Sequence, residues 1–388
     1  MEKESEYLLH LLGAYVRGTA PRSAEGMDLE KLRHLAHIHS VDGVFAHMAM
    51  TYGLFPAERG AFRAECMAVI GGYAKRAAFA EILFEEMTRR GMDHLLMKGY
   101  VVKDYYPVPE LRTYGDIDLL IRPADREKCH EMMLELGYRV KTDWEPVYSY
   151  LRPLEHYEFH TRLLETDISD TLDCGDYFRD PWGHAVGEGH RYQFTPAFHF
   201  IYLMAHLAKH VRSSGAGARM YLDLAAFILH FGEKADWALI RRELDKSGLA
   251  VFANTALTFV ERYFGVGSPL ELKHVGLDAL EALADLTAEG GVFGRFAVSG
   301  GDVTLRSGEE GASRMGTIWK RLFPAAKTIE NRYTYLQKRP WLLPAAWVHR
   351  VVRTWGKVGK HSEEARQILS ADEKRIRDMR RMLREIGL

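Results

Sequence analysis

Cysteine is scarce in this 388-residue chain, and its three occurrences, Cys66, Cys129 and Cys174, are far apart. That spacing excludes a disulfide framework and a paired-cysteine metal site, and it points to a reducing compartment. Excess charge is lacking too: 52 basic against 53 acidic side chains leave a formal net charge of -1. No bulk field draws the chain to duplex nucleic acid, although a local patch remains open. No run approaches the ~18 consecutive apolar residues of a membrane span. The start, Met1 to Glu6, has neither the basic residues nor the apolar stretch of a signal peptide. The expected location is the cytoplasm. Internal repeats are absent as well. The composition present, 47% hydrophobic and 27% charged, is that of a soluble globular protein. The length suits roughly two domains, or one with a large extension.

Apolar residues at three- and four-residue spacing predict helices over Glu6–Val16 and Ala61–Arg90, with Gly91 placed to end the second. The texture then changes. His94-Leu95-Leu96-Met97 is a short apolar run, followed by Lys98-Gly99, a short helix over Tyr100–Tyr106 and the break Pro107-Val108-Pro109. Asp116–Ile121 reads as a strand. Asp125 is placed to cap a helix whose stripe is Cys129, Met132, Met133 and Leu136, closed by Gly137. Tyr157–Leu163 and Glu165–Leu172, rich in Thr, Ile and aromatics, are further strand candidates.

Beyond Pro196 the helical pattern returns at Phe198–Val211, Met220–His230, Trp237–Ser247 and Val251–Tyr263. Residues 288–315 are rich in glycine and read as a loop, and Ser362–Leu388 reads as a solvated terminal helix. The fold class expected is α+β: a small mixed sheet with helices before and after it. The expected division is a helical region over 1–90, an α/β core over 91–194 and a helical region over 195–388.

Alternate residues of a strand share a face, so Asp116 and Asp118 point one way while Ile117, Leu119 and Ile121 enter the core. Two carboxylates about 7 Å apart along a strand can converge on one Mg²⁺ or divide two between them. The bland alternative is an edge strand with a solvated face. Against it, aspartate is depleted from strands, so two on one face call for a cation or solvent. A glycine after Lys98, at an apparent helix start, also admits phosphate to backbone N–H groups.

The run Leu96-Met97-Lys98-Gly99, then Tyr106-Pro107-Val108-Pro109, then Leu111-Arg112-Thr113-Tyr114-Gly115-Asp116-Ile117-Asp118-Leu119-Leu120-Ile121, resembles the uncharacterised bacterial nucleotidyltransferase family of the DNA polymerase β-like superfamily. The likeness continues through Leu136-Gly137-Tyr138, His206-Leu207-Ala208-Lys209-His210 and Tyr221 to Ala226, and more weakly near Lys338 to Pro344. It implies a minimal nucleotidyltransferase core binding an NTP and Mg²⁺ or Mn²⁺ at one sheet edge. Asp116 and Asp118 would hold the metal. Gly99 would lie at the superfamily's Gly-Ser turn, with Tyr100 where serine is usual, so Lys98 and Arg112 would supply phosphate contacts. A third acid is expected on a later strand reading Glu-x-His-Trp. Asp167, in Thr166-Asp167-Ile168-Ser169-Asp170, is the candidate ligand or base, with Glu158, Asp170 and Asp173 as competitors.

His206 and His210 share a helix face, where they would form a structural pair, approach the substrate or, with no evident third ligand, hold zinc. Arg219 and Asp223 have the spacing of a helix salt bridge. The stripe through Trp341, Leu342, Leu343, Trp347 and Val351 is read as a helix packed on its own domain rather than on a membrane. The expected activity is transfer of NMP from an NTP to a small molecule, a protein hydroxyl or an RNA end. The alternative is an inactive nucleotide-binding or regulatory module on the same fold.

Overall fold

A computed structural model describes residues 1–164, 172, 174–213, 215–291, 319, 323–330, 332–354 and 373–388. The fold is α+β. Four helices come first: α1 (Lys3–Arg17), α2 (Leu29–Ile38), α3 (Asp42–Tyr52) and the long α4 (Arg59–Arg89). Leu8, Leu11, Leu12 and Tyr15 form the buried stripe of α1. Gly13 lets that helix approach the π-helical turn Val260–Phe264, where an added Cβ would meet Phe264 O at 2.4 Å.

The sheet follows: β1 (His94–Leu96), the single turn α5 (Gly99–Val102), β2 (Ile117–Ile121), α6 (Arg126–Glu135), β3 (Arg139–Trp144), β4 (Val147–Arg152), β5 (Glu155–His160), β6 (Ala185–Glu188) and β7 (Arg191–Phe194). These seven strands form one mixed sheet in the order β3-β4-β5-β2-β1-β7-β6. Antiparallel β3, β4 and β5 present their last strand, in parallel, to β2. Ile117, Leu119 and Ile121 enter a core with Cys129, Met132 and Met133 of α6 and with Leu83, Phe84 and Met87 from the end of α4. Asp125 precedes α6 but its side chain makes no cap bond, because a 3-10 turn over Pro123–Asp125 already leads in.

Helices α7 (Pro196–Ser213), α8 (Ala218–Phe231), α9 (Trp237–Lys246), α10 (Ala250–Phe259) and α11 (Leu277–Gly290) follow. One apolar cluster joins them to α1–α3, so the first and later helices share a core. The glycine-rich stretch departs from expectation at its start, since residues 288–290 complete α11, while 292–315 lies outside the described residues. The terminal helix is solvated on one face only. Glu373–Glu385 carries Met382 and Leu383 into the shared core, followed by Ile386 and Leu388. The tryptophan stripe divides between a 3-10 turn, Pro340–Leu342, and helix Leu343–Thr354, and Trp347 Nε1 donates to Pro324 O at 2.9 Å while its ring packs on Phe323. Among the described residues no helix is long and apolar enough to cross a membrane.

Candidate active site

β2 and β5 run side by side with Asp118 opposite Glu158. Asp116 lies just before β2, while Glu158 and His160 alternate along β5 onto the same face as Asp118. In two overlapping sets, Asp116 with His156 and Glu158, and Asp118 with Glu158 and His160, one donor atom per residue lies within 4.8 Å of the others in its set. Asp116, Asp118, Glu158 and His160 line a cleft of about 450 Å³ that also touches Lys98, Gly99, Arg112, Tyr202 and Arg219. A roomier cavity of about 570 Å³ between α9, α10 and α11 holds no such cluster among the described residues. Chemistry rather than volume locates the site.

Asp118 is buried, and burial alone would raise its pKa. Lys98 and His160 overcome that cost and hold the carboxyl well below the usual carboxylate range. Lys98 Nζ stands 2.5 Å and His160 Nε2 2.8 Å from Asp118 Oδ1. An ionised carboxylate only accepts, so the imidazole donates here. Among the described residues no protein donor reaches Oδ2, which stays available to the cleft. Glu158 behaves in the opposite way: burial, then the negative charge of Asp118 and Asp116, pushes its carboxyl up to about 7. The cluster therefore carries more negative charge than the protein neutralises. Two carboxylates and one imidazole in each set, with that surplus, suit a divalent cation. The Lys98 ammonium, a cation already against one of its members, is a partial stand-in.

Lys98 occupies a costly backbone conformation, φ 51°, immediately before α5. Such strain, about 1–3 kcal/mol for a non-glycine residue, clusters at functional sites. Gly99 is required by a close approach, because a Cβ there would meet Arg112 Nη1 at 2.5 Å and Tyr114 Cβ at 3.2 Å. α5 is a single turn, so the anion-attracting helix start expected at this point is too short to matter much. Tyr100 turns away from the cleft and donates to Glu81 Oε1 at 2.7 Å.

A family model described as uncharacterised nucleotidyltransferase matches residues 25–265. The chain belongs to that family. Comparison with curated proteins and with solved structures returns no match. For a nucleotidyltransferase the substrate class is an NTP, and the matched span contains every cleft residue named above.

Of the residues singled out in the sequence, the fold brings Asp116, Asp118, Lys98, Gly99 and Arg112 to this cleft. Asp167, with Ser169, Asp170 and Asp173, lies outside the described residues, as does the strand candidate Glu165–Leu172 apart from Leu172. Arg112 borders the cleft, but its charge is spent: Nε and Nη2 donate to Asp223 Oδ1 and Oδ2 at 3.1 and 2.6 Å. Tyr106 OH donates to the same carboxylate at 2.6 Å. Asp223 therefore pairs across the fold with Arg112 and not with Arg219, because the buried guanidinium fork fits the carboxylate better than the helix neighbour.

His206 and His210 border the cleft with their Nε2 atoms 3.2 Å apart, and among the described residues no third ligand joins them. Burial, with His210 and Lys98 nearby, keeps His206 well below its usual value, and burial and Lys98 lower His210 to about 4. Both imidazoles are therefore neutral near pH 7.

Sequence reading missed His156 and His160, read Arg219 only as a salt-bridge partner of Asp223, and ranked Glu158 only as a competitor. The signal for two of them was present: Glu158-Phe159-His160 supplies the Glu-x-His pattern one strand earlier than the segment chosen for it.

Proposed function

We propose that this protein transfers an NMP group from an NTP to a hydroxyl or phosphate acceptor on a polymerase β-like core. Residues 91–194 form that core, and helical regions 1–90 and 195–388 surround it. One observation carries the reading. β5 sets Glu158 directly beside Asp118, completing three acids on one solvent-reached sheet face. Asp116, Asp118 and Glu158 would hold Mg²⁺ or Mn²⁺, which when bound neutralises phosphate charge and makes an acceptor hydroxyl more acidic.

In the transfer, a bond forms between the acceptor oxygen and the α-phosphorus as the bond from that phosphorus to the leaving pyrophosphate oxygen breaks. With a hydroxyl acceptor, the proton passes to a Glu158 oxygen that is not on the cation. Lys98, released from Asp118 when the acids are otherwise neutralised, turns its ammonium to the phosphates. His160 orients Asp118. The three cysteines are buried and form no disulfide among the described residues, which suits a cytoplasmic setting.

The Lys98–Asp118 contact favours one competing reading, an inactive nucleotide-binding module in which the lysine permanently fills the cation's place. The two separate in a single assay. With each α-³²P-labelled NTP, Mn²⁺ and cell extract, the enzyme transfers label to an acceptor, whereas the module binds nucleotide and leaves it intact. Absence of transfer from all four NTPs, with binding retained, would overturn the catalytic reading.

A further inference from the structure

The acids reach the cleft from β2 and β5, and cations and imidazoles reach it from a second wall, α7 and α8. On that second wall Arg219 differs from Lys98 and Arg112, whose charges are consumed by Asp118 and Asp223. It makes no ion pair among the described residues. Nη1 donates to Thr113 O at 3.0 Å, while Nε is buried without any hydrogen-bond partner. Burial, followed by repulsion from nearby Arg112, lowers its guanidinium to about 10. A half-buried, always-charged group so placed is costly unless an anion completes it.

Among the described residues no carboxylate lies within ion-pair distance of Arg219, and the substrate of this family brings a polyanion. We propose that Arg219 is a binding residue for the phosphate tail of the nucleotide, clamping it from the second wall, with Asp116, Asp118 and Glu158 on the first. The assignment rests on the nucleotidyltransferase reading and sharpens it. A guanidinium offers a planar fork to two phosphate oxygens. With the tail gripped there, the α-phosphorus is left toward the acids and the terminal phosphates toward α8. The buried Nε then gains the acceptor it lacks.

Because base preference is open, the probe is inorganic tripolyphosphate with Mn²⁺, followed by calorimetry, alongside Mn²⁺ binding alone followed by electron paramagnetic resonance. In Arg219→Met we expect tripolyphosphate affinity to fall about 10- to 100-fold, the loss typical of a charged hydrogen-bond partner. Mn²⁺ affinity should be unchanged, and the melting temperature equal or higher, since a buried cation has been removed. Arg219→Gln, which retains a donor for Thr113, should lose affinity in the same direction and keeps the test valid if the methionine variant does not fold. Wild-type affinity in both variants, or a lower melting temperature with affinity intact, overturns the assignment and leaves the acid site standing. If the wild-type protein binds Mn²⁺ but no tripolyphosphate, Arg219 has no such role. If it binds neither, the nucleotidyltransferase reading falls with it.

Discussion

Asp118→Asn is expected to reduce label transfer by about 10³-fold or more, the scale on which removal of a group acting in the transition state is felt. The same change should weaken the fold. Lys98 and His160 both donate to Asp118 Oδ1, and the amide leaves the lysine without its hydrogen-bonded counter-charge. A fully buried pair broken in this way costs about 3–5 kcal/mol. Lys98 retains 18% exposure at the cleft, so solvent reduces the loss to about 1–3 kcal/mol. Adding Lys98→Met should restore stability without restoring transfer. Denaturant midpoints and transfer rates for the two single variants and the double variant separate the effects. Transfer within tenfold of wild type in Asp118→Asn would contradict the account.

Arg112→Met is expected to be among the most destabilising single changes in the chain, by about 3–5 kcal/mol. It leaves Asp223 buried with only the Tyr106 hydroxyl donating to it. The pair joins the segment before β2 to α8, so its loss also loosens the placement of the acids. Replacing both partners, Arg112→Met with Asp223→Leu, should recover most of the stability because no uncompensated charge remains. Urea denaturation measures both variants. If Arg112 were instead a phosphate contact, its single variant would keep its midpoint and lose only transfer.

The contrast between Arg112 and Arg219 shows where the sequence is legible. Periodicity exposes α4, α6 and α7 because a buried stripe repeats every three or four residues. β2 can be read for a similar reason, with Ile117, Leu119 and Ile121 alternating against the acids. The edge hairpin β3–β4 cannot, because Arg139, Lys141 and Asp143 face solvent and leave β3 without a clear apolar alternation. Pairing across the fold is also invisible. Asp223 stands four residues from Arg219 yet is claimed by an arginine 111 positions earlier.

β5 is the instructive case. Tyr157 and Phe159 enter the core, and His156, Glu158 and His160 share the other face. That alternation marks a strand with a functional side, but the third acid is fixed only when β5 is known to pair with β2. The tail misleads for a simpler reason: its charge conceals Met382, Leu383 and Ile386, which bury against the shared core.

The central claim is that Asp116, Asp118 and Glu158 form a divalent-cation site. Anomalous diffraction from a crystal soaked in millimolar Mn²⁺ tests it most directly. The expected result is a strong peak between these three carboxylates, with the Lys98 ammonium displaced from Asp118. A map with no peak there, or with its peak between His206 and His210, would contradict the claim.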